Sequence, residues 1–396
     1  MPWREALPGP QGRFRPNRVL FSLAIVMLAA LWGLDAASVA PNRIVASTGY
    51  SLWQALGWPA AGFATLLWVA MAALAAYPAR HRYSALLALG TLLLALMPFG
   101  LMLAAQRLIT ADMPQARLSL GPASWVMLFM LSLCLVELRL AMGLKRSRMA
   151  LLLAGVAGVW WLCAARWLDS LALVQEFQAR SALFYRALGE HLALVGLAVS
   201  ASVVLGVATA LLIRRFSVSQ SAAFAVLNFL QTVPSLALFG LLLAPLAWLG
   251  ANVEWLAMLG ISGIGWTPAL LALTIYSLLP VVRNTCVALE AVNPAVLDAA
   301  SGMGMRSAQR FWQVRLPLAL PVLLEGVRIT TVQAIGLTAV AALIGAGGLG
   351  DFIFQGLGQA AMDMVLLGAL PIIAMALVAD MLLGALADHF RRGDAA

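Results

Sequence analysis

An all-α polytopic membrane protein of about ten transmembrane helices is the fold class that the sequence predicts. Of the 396 residues, 63% are hydrophobic and only 10% charged, with a mean hydropathy of +0.94, more apolar surface than a water-soluble core absorbs. Continuous apolar runs of roughly twenty residues recur along the chain, and at ~1.5 Å rise per residue each crosses a hydrocarbon layer of ~30 Å. The runs are unbroken rather than alternating, and lipid holds no water to satisfy open backbone groups. Helices are therefore favoured and a β-barrel disfavoured.

In order, the predicted spans are Val19 to Val39, Trp58 to Tyr77, Ser84 to Ala105, Pro122 to Met142, Met149 to Leu168, Leu192 to Ile213, Ser221 to Leu243, Pro268 to Leu289, Leu320 to Gly345 and Met364 to Ala387. Ser38-Val39-Ala40 also fits a small-residue cleavage site after a basic leader, although retention of the first span is the preferred reading. Between Asp169 and Glu190 the chain turns polar, with Glu176, Gln178, Arg180 and Arg186 interrupting the apolar pattern. The organisation therefore reads as a hydrophobic block over 1–168, a junction over 169–190 and a second membrane block over 191–390. Tyr185, Leu188, Leu192 and Val195 recur at helical spacing, so the end of the junction is read as an interfacial helix leading into the sixth span.

The net charge of +9 gathers on no single face or tail, which argues against a nucleic-acid partner. It marks topology instead. With both termini inside, the inner segments collect Arg4, Arg13, Arg15, Arg18, Arg80, Arg82, Lys145, Arg146, Arg148, Arg214, Arg215, Arg306, Arg310, Arg315, Arg391 and Arg392. The outer segments hold Arg43, Arg107, Arg117, Arg166, Arg180 and Arg186. This excess is the positive-inside pattern for an even number of spans and predicts cytoplasmic termini.

Catalytic and metal chemistry find little support. Cys134, Cys163 and Cys286 are isolated in apolar stretches without CxxC spacing and are read as packing residues. His81, His191 and His389 are equally scattered, so no metal site and no catalytic residue is assigned. No GxxxxGK[ST] pattern is present, and the single lysine is Lys145, so this chain is not expected to hydrolyse ATP by itself.

The most informative segment is the loop over 290–318. Asn293 followed by Pro294 offers an N-cap and a first-turn proline, Gly302 and Gly304 break the helix, and Ser307 caps a second helix that Pro317 ends. Ala299, Ala300 and Gly304 are expected to form a small-residue face that a second protein approaches closely. Asp298-Ala-Ala, then Gly304, then nine residues and Val314-Arg-Leu-Pro317, resembles the EAA loop of ABC importer permeases, with Asp in place of the usual Glu.

That resemblance implies a coupling loop, comprising Asp298, Ala299, Ala300, Gly304, Arg306, Leu316 and Pro317, that sits against a separate ATPase subunit. It also implies that ATP and Mg belong to that partner, with no cofactor in this chain. Further implied partners are a periplasmic or lipid-anchored substrate-binding protein and a second permease copy or a related permease. The implied location is the bacterial inner membrane, in contact with lipid.

Leu230-Gln-Thr-Val-Pro-Ser-Leu-Ala-Leu238 and Leu343-Ile-Gly-Ala-Gly-Gly-Leu-Gly350 resemble segments of the osmoprotectant branch of these permeases. The cargo so implied is glycine betaine, choline or carnitine. The match runs from about Tyr185 to Ala387 and implies a five-helix core of the methionine-importer type, while the first block resembles the extra hydrophobic part of the long Yeh-type form. Import of an amino acid such as methionine is the alternative. A channel, a sensor or an integral membrane enzyme is the alternative from another class.

Pro234 removes a backbone donor from the seventh span, and Gln231, Thr232 and Ser235 are available for the freed groups, so these four are read as a candidate gate. Gly345, Gly347, Gly348 and Gly350 form a GxGGxG string after a membrane helix rather than a strand, which argues against nucleotide binding and for a close turn on the outer side, with a share of the translocation path as the bolder reading. Asp35, Glu137, Arg283, Glu325, Arg328 and Asp380 are ionisable residues within predicted spans. Glu325 and Arg328, three apart, are expected to pair. Asp380, without a local partner, is read as a pathway or interhelical residue. Trp58, Trp160, Trp161, Trp167 and Trp266 are read as interfacial anchors, and no aromatic cage is assigned.

Overall fold

The computed structural model describes residues 16–43, 45–77, 79, 81–216 and 220–393. Arg4, Arg13, Arg15 and Arg80, which entered the charge argument, lie outside the described residues. The chain divides into two compact units, 1–179 and 180–396.

In the first unit α1 (Arg18–Gly33) is followed by strands β1 (Ala37–Ala40) and β2 (Thr48–Tyr50). Then come α2 (Leu52–Leu56), α3 (Trp58–Ala76), α4 (Arg82–Leu108), β3 (Arg117–Leu120), α5 (Pro122–Met142) and α6 (Arg146–Arg166). Helix α1 packs on α3 and α5, and Leu20, Met27, Trp68, Met71, Leu86, Leu131 and Leu138 are sealed between helices. Phe63, Leu66, Leu140 and Leu151 point outward. Apolar side chains on both faces are what a lipid-solvated helix requires.

The first predicted span ends early. Asn17 caps α1 by accepting the Leu20 N–H at 3.0 Å and donates its amide to Glu137 at 2.9 Å, but the helix stops after 16 residues. From there the backbone finds strand partners: Ala36 N–H donates to Tyr50 at 2.9 Å, and Ala37 lies opposite both Tyr50 and Leu120. Asp35 is consequently a loop residue, and Ser38-Val39-Ala40 belongs to the central strand of a three-stranded antiparallel sheet, order β2-β1-β3. Among the described residues nine helices are long and apolar enough to cross a membrane, with α1 a shorter apolar helix beside them. The architecture is helical as expected, with this small sheet as an unforeseen addition.

The segment α7 (Ala172–Arg215) is two helices meeting at a kink at the non-helical residue Arg180 (φ −131°, ψ 23°), where the second unit begins. The expected interfacial helix and the sixth span are thus one helix beyond that residue. The second unit continues with α8 (Gln220–Thr232), α9 (Ser235–Asn252), α10 (Glu254–Met258), α11 (Trp266–Glu290), α12 (Pro294–Gly302) and α13 (Ser307–Gln309). A π-helical turn (Arg310–Arg315), α14 (Leu316–Ala341), a 3₁₀ turn (Ala342–Ile344), α15 (Gly350–Gly358) and α16 (Met362–Gly393) complete it. Helix α14 packs against both α11 and α16. Leu194, Ala198, Phe239, Ala269, Ala272, Leu273 and Ala341 form the core between α7, α9, α11 and α14.

Two predicted features change. The seventh span, expected as one helix over Ser221 to Leu243, is broken at Val233-Pro234 and reaches Asn252, because Pro234 has no N–H to continue α8 and instead opens α9 as its N-cap. Pro317 ends nothing: it sits in the first turn of α14, where a missing N–H costs little. The wider π turn before it shifts the hydrogen-bond register, which lets one helix run through.

Candidate coupling and translocation sites

Helices α11 and α14 are long antiparallel neighbours joined at one end by the loop over 290–318. There the chain builds a compact knob. Asn293 accepts the Ala295 N–H at 3.0 Å, Pro294 starts α12, and Gly304 turns the chain at φ +80°. Only glycine takes that left-handed conformation without cost. Met305 N–H donates back to the Ala300 carbonyl at 3.2 Å and closes the helix. The next N-cap is Arg306, not Ser307: the Arg306 N–H donates to Gln309 Oε1 at 2.9 Å. Arg310 bonds to Ser301 across the glycine turn and to Ser307 at 3.2 Å, and Arg315 Nε caps α11 through the Leu289 carbonyl at 2.9 Å.

Asp298, Ala299, Gly304, Arg306 and Pro317 are exposed on the knob, and Leu316 is half-buried. Ala300 is a correction to the expected face. It is 2% exposed and points into the knob, so its small size serves internal packing in this chain. Met303 and Trp312, 75% and 66% exposed, were not singled out from the sequence. Their signal was available: two large apolar residues in a segment otherwise rich in Arg, Ser and Gln.

At the Pro234 break, Gln231 Nε2 donates to the Tyr276 carbonyl at 2.8 Å, while the Tyr276 hydroxyl donates to the Val233 carbonyl. This reciprocal pair ties the loose end of α8 to α11. Thr232 instead bonds back to Phe229 at 2.7 Å within α8, and Ser235 opens α9 in its first turn. Tyr276, the residue that satisfies the broken backbone, was not legible from position alone.

At the opposite end of α11 and α14, Gly345, Gly347 and Gly348 all adopt positive φ (75°, 77° and 89°), and Gly350 begins α15. The close turn expected there is present. Gly348 N–H donates to Glu190 Oε2 at 3.2 Å, and a Cβ on Gly347 would collide with that carboxylate. Glu190 also accepts from Arg186 Nε at 2.9 Å. Next to it, buried His191 places Nε2 3.0 Å from the Ile335 carbonyl, an acceptor that requires the proton on Nε2.

Gly265 N–H donates to the Ile344 carbonyl at 2.8 Å and brings Trp266, the first residue of α11, alongside. Arg186, Glu190, Trp266, Gly347, Asp351 and Phe352 contribute to the lining of a cavity of about 420 Å³. Burial first, and the Glu190 carboxylate second, push the Asp351 carboxyl above the usual aspartate range.

Asp380 is paired. Arg328 Nε lies 2.6 Å from Asp380 Oδ1, and Nη1 lies 3.1 Å from Glu325, so the expected Glu325–Arg328 pair forms and extends to α16. These three residues border a cavity of about 540 Å³. Arg283 donates to Asn228 at 3.3 Å. All three cysteines are buried free thiols.

Known proteins match both parts of the chain. A model of binding-protein-dependent transport system inner membrane components matches residues 202–392, and a model of the N-terminal domain of the ABC transporter permease YehY matches residues 15–174. The osmoprotectant import permease protein OsmW of Salmonella typhimurium is 40% identical over 194 residues, covering 49% of this chain and 85% of that protein. The glycine betaine/carnitine/choline transport system permease protein OpuCB of Bacillus subtilis is 33% identical over 195 residues, 49% of this chain and 82% of its own. The carnitine transport permease protein OpuCB of Listeria monocytogenes is 34% identical over 215 residues, 54% of this chain and 91% of its own. A chain of the MetNI methionine ABC transporter, solved facing inward, matches 54% of this chain at 21% identity with a TM-score of 0.45. With a relative of 40% identity covered over most of its length, the chain belongs to the permease family of binding-protein-dependent ABC transporters, as a multi-pass membrane transport subunit.

Proposed function

We propose that this chain is the permease of an ATP-driven importer whose cargo is glycine betaine or a related quaternary ammonium osmoprotectant, such as choline or carnitine. The carrying observation is the identity, 33% or more, to permeases named for these cargoes across 82% or more of their own length.

In this reading Asp298, Ala299, Gly304 and Arg306 meet a separate ATPase, which holds ATP and Mg, and Met303 and Trp312 enter its cleft. Exposed apolar side chains on a knob rimmed by Arg306 and Asp298 support a docking role, since an apolar centre with a polar rim is the anatomy of protein interfaces. The loop end is cytoplasmic, as are both termini, and the glycine turn faces the substrate-binding protein. Two permease copies, or this chain and a related one, form the pathway. Nucleotide binding draws their knobs together and turns the pathway outward, and hydrolysis resets it, a two-state switch driven by differential binding. Gln231, Thr232, Pro234 and Ser235, together with Gly345, Gly347, Gly348 and Gly350, border the path that opens. Asp380, held by Arg328, steadies the helices on the knob side.

The test is ATP hydrolysis in proteoliposomes holding this chain with its ATPase and binding protein, with and without betaine, beside Gly304→Asp. Betaine stimulation that disappears in the variant is expected. Stimulation by methionine and not betaine discards the cargo, and a variant that behaves as the parent discards the coupling role.

A further inference from the structure

The 420 Å³ cavity beside the glycine turn has the chemistry of a binding site that the coupling mechanism does not use. Its size lies within the ordinary range for small-molecule pockets, roughly 300–1,000 Å³. Charges of both signs line it, Arg180 and Arg186 against Glu190 and Asp351, together with the aromatic residues Trp266 and Phe352.

The two carboxylates are not equivalent. Glu190 is committed, one oxygen to Arg186 at 2.9 Å and the other to Gly348 N–H at 3.2 Å. The Asp351 side chain makes no hydrogen bond or ion pair among the described residues, although it is partly buried in the cavity wall next to Phe352. A carboxylate partly withdrawn from water and without a partner favours a cation beside it. A cation with N–H groups would demand several acceptors, whereas one without them needs only a negative charge and aromatic faces. Asp351 and Trp266 supply these. Arg186, which spends one of its five N–H donors on Glu190, retains others for a carboxylate on the same ligand.

We propose that this cavity is a transit site, within the permease itself, for a zwitterion carrying a quaternary ammonium and a carboxylate, with Asp351 and Trp266 holding the ammonium and Arg186 the carboxylate. The inference rests on the cargo reading above and adds a site to it. The left-handed glycines are then part of the site: they let backbone lie against Glu190 where any side chain at 347 would displace it.

The experiment is equilibrium binding of radiolabelled glycine betaine to the purified full chain in nanodiscs without the binding protein, together with betaine uptake by the assembled transporter. Trp266→Leu and Asp351→Asn should each weaken binding by about tenfold, the scale of a desolvated cation–π or charge contact. Trp266→Phe should recover most of the affinity, and Trp161→Leu, an exposed tryptophan of the other unit, should bind as the parent does. Thermal unfolding identifies any variant that fails to fold, and Trp266→Phe keeps the test decisive in that case. Betaine uptake by the parent, combined with no binding to the isolated chain or with unchanged binding in Trp266→Leu and Asp351→Asn, overturns the site and leaves the cargo reading standing. Absence of betaine uptake by the parent overturns the cargo reading and the site with it.

Discussion

Arg328 on α14 holds Asp380 on α16 at 2.6 Å and Glu325 on its own helix at 3.1 Å, so one guanidinium joins two helices. Removing the arginine leaves Asp380 without this cation while Glu325 keeps Arg391 at 3.2 Å, whereas removing Asp380 leaves both Glu325 pairs intact. Arg328→Met is therefore expected to cost about 2–3 kcal/mol and Asp380→Asn about 1 kcal/mol, the difference between breaking a partly buried network and trimming it. Thermal unfolding in detergent measures both. Asp380→Asn and Arg328→Met proteins as stable as the parent would show that α16 does not depend on this clamp.

Glu176, 1% exposed, receives Arg117 at 2.8 Å and Arg43 at 3.2 Å, and these two arginines come from loop and strand segments of the first unit. Replacing that buried carboxylate by a neutral amide removes the negative charge that draws both arginines to it. Glu176→Gln should lower stability by about 3 kcal/mol. Pulse proteolysis of the full chain, read as early cleavage within 1–179, checks it, and unchanged protection would show that these ion pairs do not stabilise the first unit.

Tyr276 supplies the hydroxyl that satisfies the Val233 carbonyl where Pro234 interrupts the helix. Tyr276→Phe orphans that carbonyl and should cost about 1–2 kcal/mol. Thr232→Val, which removes only a bond back into α8, should stay within about 0.5 kcal/mol. Denaturant titration of the two variants gives the comparison, and a Thr232 effect as large as that of Tyr276 would place the support of the break elsewhere.

What the sequence revealed and what it hid divide by distance along the chain. The Glu325–Arg328 pair was legible because i and i+3 meet on any helix, while its third member, Asp380, is 52 residues from Arg328. The proline break was legible at Pro234, but its partner Tyr276 belongs to a different helix. The knob was read from Asn293, Pro294 and Gly304, whose effects are local, yet the burial of Ala300 depends on how the knob folds back on itself, which spacing alone does not give. Strand β1 was read as the end of a span because Ala37–Ala40 is short and apolar, and the partner β3 that fixes it lies about eighty residues on. The glycine string announced a turn. Nothing in its spacing announced that Glu190, more than 150 residues earlier, would lie against it.

Asp351 offers a pH test of that arrangement. Burial first, and then the neighbouring Glu190 carboxylate, raise its pKa, with Arg186 and Arg180 of α7 the cations at the same cavity. Above the ordinary aspartate value of about 3.9, the unfolded chain has released this proton while the folded chain retains it. The folded state binds more protons, so stability falls as pH rises from that value through the raised one and levels off beyond it. Asp351→Asn removes the penalty. Its melting temperature relative to the parent should rise as the pH is taken upward from about 4, with the gain complete once the parent carboxyl is fully ionised. A difference that does not change with pH would mean that the Asp351 carboxyl is solvated as in the unfolded chain and feels neither burial nor the Glu190 charge.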